Sequence, residues 1–509
     1  MPTTTLTMIV KNEEENLAAC LDSVKDVVDE VIIVDTGSTD GTIQIAEKYN
    51  AKIFQYEWAN NFSAARNFAL GKATGNWIFY LDADERLDTN SIAEFKKLSD
   101  ANLLIGYYCT VKNYHMDKNR DNSVRHIRLF ANSPEIKFIG KVHEQLEPSL
   151  AQNRYQLLHS NILIHHIGYS NSKEEKQKKI ERNLFLLKEE YASTKTAYSL
   201  FQIAQSYNIL NDRLNAFKYY KSAGESVGLD RSLRAQCFAS LAYIAYYDHK
   251  STEAERYIQF SLKLDDRQPF AQLLSAKIAL RKGDYLTAEL RCRGAQQLNQ
   301  NMMLGKEQSK LALILDPEEV ICYGLTLALQ NKNFTNISYY QKELSAYYNK
   351  QVNENGQQKL TVIQKLFNNT MLTASEEEIF VEMANHYAMN LFLYMLTSNP
   401  NKQQVFQLAN DLLKKYPDAV EIKKIIAKLL EDSGKINEAI LLLENIVEKN
   451  QYDPTILFYL ISFYLKKGAE DKIKPVIGKL EKNYSHIPEV MERVRKLRRK
   501  LLMLTTVPL

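Results

Sequence analysis

The fold of this chain is indicated most clearly by residues 77–85, WIFYLDADE, an apolar run that ends in three carboxylates. Five consecutive apolar residues predict a strand buried on both faces, as in a parallel sheet covered by helices. Ligands bind at the carboxyl ends of the strands in such sheets, where Asp82 and Asp84 lie. Two carboxylates separated by one residue can hold a divalent cation, which would neutralise a diphosphate leaving group. The alternative is an acidic turn that leads into a helix near Ser91.

The residues before this strand alternate short apolar runs with helical stretches. Further strands are predicted at 6–10, 30–34 and 52–56, and helices at 14–24, 43–49 and 63–72. This alternation predicts an α/β domain with a Rossmann-like, mostly parallel sheet.

The pattern changes after about residue 170 to helix–turn–helix with small residues at regular intervals. Ala254 and Ala288 are 34 residues apart, which is the tetratricopeptide period. The same two positions of the repeat are occupied by Ala204, Ala216, Ala242, Ala254, Ala276 and Ala288. Small residues are expected where two helices cross closely, so the pattern predicts an all-α, tetratricopeptide-like solenoid. Gly434 and Gly468, also 34 residues apart, indicate that the repeats return near the end.

These patterns divide the chain into five predicted segments. They are the sheet domain at 1–172, a linker helix at 173–192, repeats at 193–300, an irregular helical region at 301–415, and repeats with a basic capping helix at 416–509. Residues 174–190 are charged enough to be a solvated linker, so the domains are expected to be energetically separable. The basic run at 493–500 is predicted to be a solvated face that caps the solenoid, with a membrane or acidic partner as the alternative.

Bulk properties exclude several classes of protein. A net charge of +4 is too small a bias to imply nucleic acid. The five cysteines are scattered without a CxxC pair, so neither a disulfide framework nor a zinc site is predicted. No signal peptide is found at the N-terminus, and no run approaches the ~18–20 apolar residues that span a bilayer. We therefore expect a cytoplasmic protein without a transmembrane segment.

A second polar motif, VDTGSTDGT at 34–42, directly follows the strand at 30–34. Carboxylates at a strand end, here Asp35 and Asp40, can accept hydrogen bonds from a nucleobase N–H or a ribose hydroxyl. The alternative is a turn in which Asp40 caps the next helix. The motif by itself leaves both interpretations open.

Four motifs occur in order: MIVKNEE at 8–14, VDTGSTDGT at 34–42, FSAARN at 62–67 and WIFYLDADE at 77–85. Together they are similar to the family-two inverting glycosyltransferases of GT-A fold, over roughly residues 5–170. The resemblance implies a UDP-sugar donor and Mg²⁺ or Mn²⁺ as cofactor. The residues predicted to bind the nucleotide-sugar are Val10, Asn12, Glu14, Asp35, Asp40, Arg66, Asp82, Ala83 and Arg128, and those predicted to bind the metal are Asp84 and His166. Alternatively, Arg66 is a surface helix charge, Arg128 pairs with a neighbouring acid, and His166 is a buried structural histidine.

Attack on the anomeric carbon requires a base that takes the proton of the acceptor, and a carboxylate is the usual agent. Glu144 lies about where the family places its catalytic carboxylate, downstream of the Asp-x-Asp motif. The Glu-Asp pair usual in the family is replaced here by His143-Glu144. We therefore predict Glu144 as the base, with His143 as the next candidate, and a structural salt bridge as the alternative for Glu144.

The helical repeats that follow the α/β domain indicate the kind of acceptor, because tetratricopeptide arrays typically bind extended peptides or proteins. A family-two domain with such repeats resembles bacterial glycocin transferases, which glycosylate peptide side chains. We predict an enzyme that transfers a hexose from a UDP-sugar to Ser, Thr or Cys of a peptide or protein, without a nucleic-acid partner. One alternative is glycan assembly for a cell-surface polysaccharide, with the repeats serving for oligomerisation, for example as a homodimer.

Two other classes are disfavoured by particular residues. A non-catalytic tetratricopeptide scaffold with a degenerate transferase domain would have lost the metal carboxylates, yet Asp82 and Asp84 are intact. A nucleotidyltransferase needs a Gly-rich, basic loop after the first strand to hold a triphosphate, whereas residues 11–15, KNEEE, are mainly acidic.

Overall fold

The structure is a computed structural model that describes residues 2–99, 104–113, 122–167, 173–303, 313–349, 355–385, 388–448, 454–485 and 487–505. The chain divides into two compact units, Met1–Pro317 and Glu318–Leu509. The finer boundaries expected at residues 172, 192, 300 and 415 stay predictions.

The first unit begins with one eight-stranded sheet. Its strands are β1 (Thr4–Val10), β2 (Glu30–Asp35), β3 (Lys52–Gln55), β4 (Trp77–Tyr80), β5 (Glu85–Leu87), β6 (Ile105–Asn113), β7 (Asn122–Ala131) and β8 (Gln156–His166). Their order is β3-β2-β1-β4-β7-β6-β8-β5. The first four strands are parallel, as predicted, whereas β7 is antiparallel to β4 and β6, and β5 is antiparallel to β8. The sheet is therefore mixed, and its parallel half carries the predicted motifs.

Five helices accompany the sheet: α1 (Leu17–Val24), α2 (Thr42–Lys48), α3 (Phe62–Leu70), α4 (Ile92–Leu98) and α5 (Glu147–Gln152). Side chains alternate between the two faces of a strand, so the side chains of β4 contribute to two hydrophobic cores, one on each face of the sheet. Trp77 and Phe79 pack in one core and Ile78 and Tyr80 in the other. All four side chains are buried, which confirms the strand covered on both faces.

The first unit continues as helices α6 (Lys173–Thr194), α7 (Ala197–Ile209), α8 (Arg213–Glu225), α9 (Arg231–Tyr247), α10 (Ser251–Leu264), α11 (Pro269–Arg281) and α12 (Tyr285–Met303). Helices α7 to α12 pack as three consecutive pairs, and each pair is antiparallel because only three residues connect its two helices. The six alanines predicted at close helix crossings are fully buried. The all-α solenoid expected to follow the α/β domain is thereby confirmed.

The charged helix α6 differs from the expected solvated linker. Leu184, Leu186 and Leu187 on this helix are buried in a cluster with Val142 and Ile203. Lys and Glu side chains between residues 178 and 189 are exposed on the other faces of this helix, as is Phe185. The expectation of a solvated helix is therefore wrong for the side that carries these leucines, whereas the role of residues 173–192 as a linker helix stays a prediction.

The second unit consists of α13 (Pro317–Gln330), α14 (Phe334–Asn349), α15 (Asn355–Phe367), α16 (Ala374–Met383), α17 (Met389–Ser398), α18 (Lys402–Lys415), α19 (Val420–Asp432), α20 (Ile436–Glu448), α21 (Pro454–Lys467), α22 (Ile473–Tyr484) and α23 (Pro488–Thr505). Gly434 and Gly468 lie just beyond α19 and α21 with φ of 77° and 68°, a conformation that glycine adopts without strain. In the described part of the chain, every helix is too short or too polar to cross a bilayer.

Candidate active site

The loops that follow β1 and β2 are hydrogen-bonded to each other. Asn12 has a φ of 56°; its N–H donates to Ser38 Oγ at 3.0 Å, and its side-chain oxygen accepts from the N–H of Thr39 at 2.8 Å. Glu14 Oε2 accepts from the N–H of Gly41 at 2.7 Å. Asn12 and Glu14 thus shape the loop after β2 at the carboxyl edge of the sheet.

Asp35 and Asp40 are also engaged within these loops. Asp35 ends β2, is buried, and accepts from the N–H of Ser38 at 3.0 Å. Asp40 accepts from the N–H of Thr42, the first residue of α2, at 3.0 Å, as the alternative interpretation of this motif predicted. It also accepts from the N–H of Glu14 at 3.2 Å. Their contact with a nucleotide stays a prediction.

The neighbouring predicted residues Val10 and Ala83 have buried side chains. The Val10 carbonyl accepts from the N–H of Thr36 at 2.9 Å, and the Ala83 carbonyl accepts from Arg86 at 2.6 Å. Both side chains therefore belong to the core, so any role of these two residues in binding would be carried by the backbone.

Arg66 joins two carboxylates that come from distant segments. Its Nη2 lies 2.7 Å from Asp82 Oδ1, and its Nε lies 2.5 Å from Glu144 Oε1. The guanidinium also lies over the rings of Tyr80 and Phe138, at 5.2 and 5.6 Å from their centres. Only 7% of Arg66 is exposed, so the alternative of a surface helix charge is wrong.

The charge of Arg66 affects the ionisation of Asp82. Desolvation alone would raise the pKa of this carboxyl, but the guanidiniums of Arg66 and Arg128 outweigh it and lower the pKa of Asp82 to about 2. Asp82 is therefore ionised at neutral pH, with 42% of its side chain exposed.

The FSAARN motif explains how Glu144 reaches Arg66. The side chain of Asn67 donates to the carbonyl of Phe138 at 3.0 Å and accepts from its N–H at 2.7 Å. The N–H of Phe62 donates to the carbonyl of Lys141 at 2.9 Å. Helix α3, which carries Arg66, is thus bonded to the segment that leads into Glu144.

That segment is a closed loop, which we call the base loop (residues 139–145). Ile139 and Gln145 exchange two backbone hydrogen bonds, at 3.0 and 2.9 Å. Within it His143 is exposed and has a φ of 54°, whereas only 13% of the Glu144 side chain is exposed. Glu144 does form the salt bridge that was its alternative role, but the partner lies in the site, so the pair is compatible with the role of a base.

A second buried ion pair lies beneath the Asp-x-Asp motif, and its acidic member, Glu85, was missed in the sequence. Glu85 Oε1 lies 2.7 Å from Arg128 Nη2, and Glu85 Oε2 accepts from the N–H of Asp82 at 2.9 Å. Arg128 thus takes its alternative role of pairing with a neighbouring acid. Burial raises the pKa of Glu85 to about 7, although Arg128 opposes this shift. The pair fixes the backbone of the Asp-x-Asp turn.

Strand pairing brings His166 to this turn, because β5 and β8 place Glu85 opposite His166. His166 Nε2 lies 3.1 Å from Asp84 Oδ2, and its Nδ1 lies 2.6 Å from Asn113 Oδ1. The hydrogen bond to Asp84 raises the pKa of His166 against the opposing effect of desolvation. A carboxylate and an imidazole in contact are a donor set that suits a divalent cation.

The rest of a coordination shell would have to come from elsewhere. Among the described residues, no group of three or more His, Cys, Asp and Glu side chains is placed to hold a metal. Mg²⁺ is commonly held by one or two carboxylates, water and substrate phosphates, so Asp84 fits a cation that a diphosphate helps to bind. His166 would join it as a neutral imidazole. Glu13, also missed in the sequence, borders this region: burial and then the nearby Asp84 and Asp82 charges raise its pKa.

Comparisons with known proteins cover the same part of the chain. Residues 5–167 match the family model "Glycosyl transferase family 2". A TPR repeat-containing protein of Synechococcus elongatus is 38% identical over 188 residues, 36% of this chain and 46% of that protein. Glycosyltransferase SunS of Bacillus phage SPbeta is 32% identical over 193 residues, 37% of this chain and 45% of SunS. The matches thus span less than half the length of either relative.

Among solved structures, S. aureus TarS in complex with UDP-GlcNAc is similar at 15% identity, over 60% of this chain and 93% of that one. Its TM-score of 0.30 is too low to carry an argument.

Proposed function

We propose that this chain, whose residues 5–167 match the family model "Glycosyl transferase family 2", transfers a hexose, with inversion, from a UDP-sugar to a Ser, Thr or Cys side chain of a peptide or protein. One observation carries the proposal. Arg66 holds Asp82, from the Asp-x-Asp turn, and Glu144, from the base loop, on one buried guanidinium. A carboxylate for the donor side and a carboxylate for the acceptor side are thereby brought to one place.

On the donor side, Asp84 and His166 would hold Mg²⁺ or Mn²⁺. Such a cation, when bound, neutralises charge that develops on a diphosphate leaving group. The guanidiniums of Arg66 and Arg128 add positive charge behind the turn, and Asp82 stays ionised between them. The loops after β1 and β2, with Asn12, Glu14, Asp35 and Asp40, would take up the uridine.

On the acceptor side, Glu144 would remove the proton of the attacking hydroxyl or thiol. Inverting transfer proceeds by in-line attack, so the base must face the sugar opposite the diphosphate. Glu144 comes from a segment separate from the Asp-x-Asp turn, which allows the two carboxylates to approach a bound sugar from different sides. Its carboxylate is held by Arg66 in one orientation, which favours a positioned general base.

A peptide or protein acceptor is supported by the three antiparallel helix pairs that follow the sheet in the first unit, since such arrays commonly bind extended chains. Glycan assembly with the repeats used for oligomerisation is the second candidate. The cytoplasmic location stays a prediction.

The test is a hydrolysis assay of the purified full chain against a panel of UDP-sugars. Slow release of UDP from one sugar, lost in Asp84→Asn, is expected, because water can replace the acceptor. Peptide and polysaccharide acceptors are then compared with the donor that is hydrolysed. No hydrolysis of any UDP-sugar would refute the proposed donor, and faster transfer to the polysaccharide would refute the peptide acceptor.

A further inference from the structure

The base loop is held by a residue that lies outside the transferase domain. Glu190 is on α6, beyond the matched region 5–167. Its Oε2 accepts from the backbone N–H of Lys141 at 2.5 Å. Its Oε1 accepts from the hydroxyl of Ser199 on α7 at 3.3 Å. One carboxylate thus links the loop that carries Glu144 to the first two helices of the helical part.

The other side of the same loop is bonded to α3. The carbonyl of Gly140 accepts from the hydroxyl of Ser63, and the carbonyl of Lys141 accepts from the N–H of Phe62 at 2.9 Å. Gly140 has a φ of 104°, which only glycine adopts readily. The Cβ of any larger residue at this position would lie 3.6 Å from Glu190 Oε1. The loop is therefore clamped between α3, which carries Arg66, and α6, which carries Glu190.

An apolar contact reinforces the clamp two residues before Glu144. Val142 is only 4% exposed and belongs to the cluster formed with Leu184, Leu187 and Ile203. These three partners lie on α6 and α7. Apolar packing is non-directional, whereas a carboxylate that accepts from one backbone N–H fixes the position of that peptide group. Glu190 is therefore the residue that determines where the loop sits on α6.

We propose that Glu190 is a positioning residue for transfer, which holds the base loop so that Glu144 stays on Arg66 beside Asp82. Through Glu190 and Ser199 the first repeat helix becomes a part of the catalytic apparatus. The inference rests on the proposed function in that Glu144 is taken as the base. Displacement of a reacting group by about 1 Å can cost about 10²-fold in rate, so loss of Glu190 should lower turnover strongly.

The experiment compares Glu190→Ala, Glu190→Gln and the control Glu189→Ala in the full chain. Glu189 is an exposed neighbour whose contact with the Lys141 ammonium spans 3.4 Å, and such exposed pairs contribute little. We expect Glu190→Ala to lower kcat of UDP-sugar hydrolysis by about 10- to 100-fold with donor KM unchanged. Glu190→Gln should restore part of this loss, because the amide oxygen still accepts from Lys141. Glu189→Ala should behave as wild type.

Two further measurements distinguish an effect of Glu190 on the position of the base loop from an effect on the stability of the whole chain. In a Glu144→Gln background, Glu190→Ala should lower kcat by less than about twofold, because coupled residues are non-additive; a full additional loss would overturn the proposal. Amide hydrogen exchange over 138–145 should accelerate in Glu190→Ala and not in Glu189→Ala. Unchanged exchange there would overturn the role of Glu190 whether or not any UDP-sugar is hydrolysed. Absence of hydrolysis in the wild type, with faster exchange in Glu190→Ala, would instead refute the proposed function.

Discussion

Replacing Glu144 with Gln is the most direct perturbation of the proposed chemistry. Gln keeps the shape of the side chain and an oxygen that can accept from Arg66 Nε, now 2.5 Å away, but it cannot take a proton. Positioned general bases contribute about 10²–10⁴-fold to rate. Turnover should therefore fall by that factor, which corresponds to about 2.7–5.5 kcal/mol in the activation barrier.

Donor affinity should change much less, because Arg66 keeps its contact with Asp82 at 2.7 Å. In this variant the charged guanidinium of Arg66 would donate a hydrogen bond to a neutral amide oxygen at position 144 instead of to a carboxylate. A loss of about 1 kcal/mol for that change corresponds to about fivefold in donor affinity. The expected signature is a large fall in kcat with a small change in the Kd of UDP.

The assay measures kcat and donor KM by UDP release, and the Kd of UDP by calorimetry. Glu147→Gln is the matched control, since Glu147 is the first residue of α5, three positions further along. It should change turnover by less than about twofold. Unchanged turnover in Glu144→Gln would refute the role of a base, and a collapse of donor affinity alone would assign Glu144 to the binding site and make His143 the next candidate. The fall in turnover of Glu144→Gln should be smaller with a thiol acceptor than with a hydroxyl acceptor, because a thiol ionises more readily.

Asp84→Asn should abolish turnover while the thermal midpoint stays within about 2 °C, as for most substitutions outside a core; full activity in this variant or in excess chelator would contradict a metal role. Glu30→Gln should cost the first unit about 2 kcal/mol at pH 7, because hydrogen bonds from one lysine and two threonines outweigh desolvation and lower the pKa of Glu30 to about 2. Since the pKa of Glu30 is lower in the folded chain, this stabilisation is complete above the unfolded pKa of about 4.3 and is lost as pH falls towards 2. The free energy of unfolding in urea should therefore differ less between variant and wild type at about pH 2.5 than at pH 7, and an equal difference at both pH values would rule this out. Gly324→Ala should destabilise the second unit by about 1–3 kcal/mol, because its Cβ would lie 2.2 Å from Tyr340 Cζ. Gly478→Ala, a helical position with no atom within 4 Å of the added Cβ, should instead stabilise it by about 0.5–1 kcal/mol in the same unfolding experiment.

The features predicted from sequence are those that local patterns determine. The strand at 77–80 was recognised because the five consecutive apolar residues 77–81 leave no solvated face. The helix crossings were recognised because the crowded positions admit only small residues. Pairing of Arg128 with an acid was predicted as an alternative, but Glu85 was not recognised as the partner because the two residues are far apart in sequence. They meet only through the antiparallel pairing of β4 with β7, a register that local periodicity does not specify.

The role of α6 was misjudged for a related reason. Its sequence is dominated by Lys and Glu, so the few leucines at positions 184, 186 and 187 gave a weak amphipathic signal. Their partners, Val142 and Ile203, lie in two different segments, and the carboxylate of Glu190 bonds to a backbone N–H, which has no sequence signature. Contacts of this kind are properties of the tertiary structure alone.

These contacts bear on whether the transferase domain can act by itself. A chain ending at residue 192 would lose Ile203 from the apolar cluster and Ser199 from the bond to Glu190. Burial of a leucine is worth about 1.5–3 kcal/mol, so partial exposure of Leu184 and Leu187 would remove much of what keeps α6 on the base loop. The loop would keep its bonds to α3 but lose its second support, and Glu144 would be held by Arg66 alone. The separability of the two domains stays a prediction, and from these contacts we predict that the proposed transfer needs the first repeat helices, because they support the loop that carries Glu144.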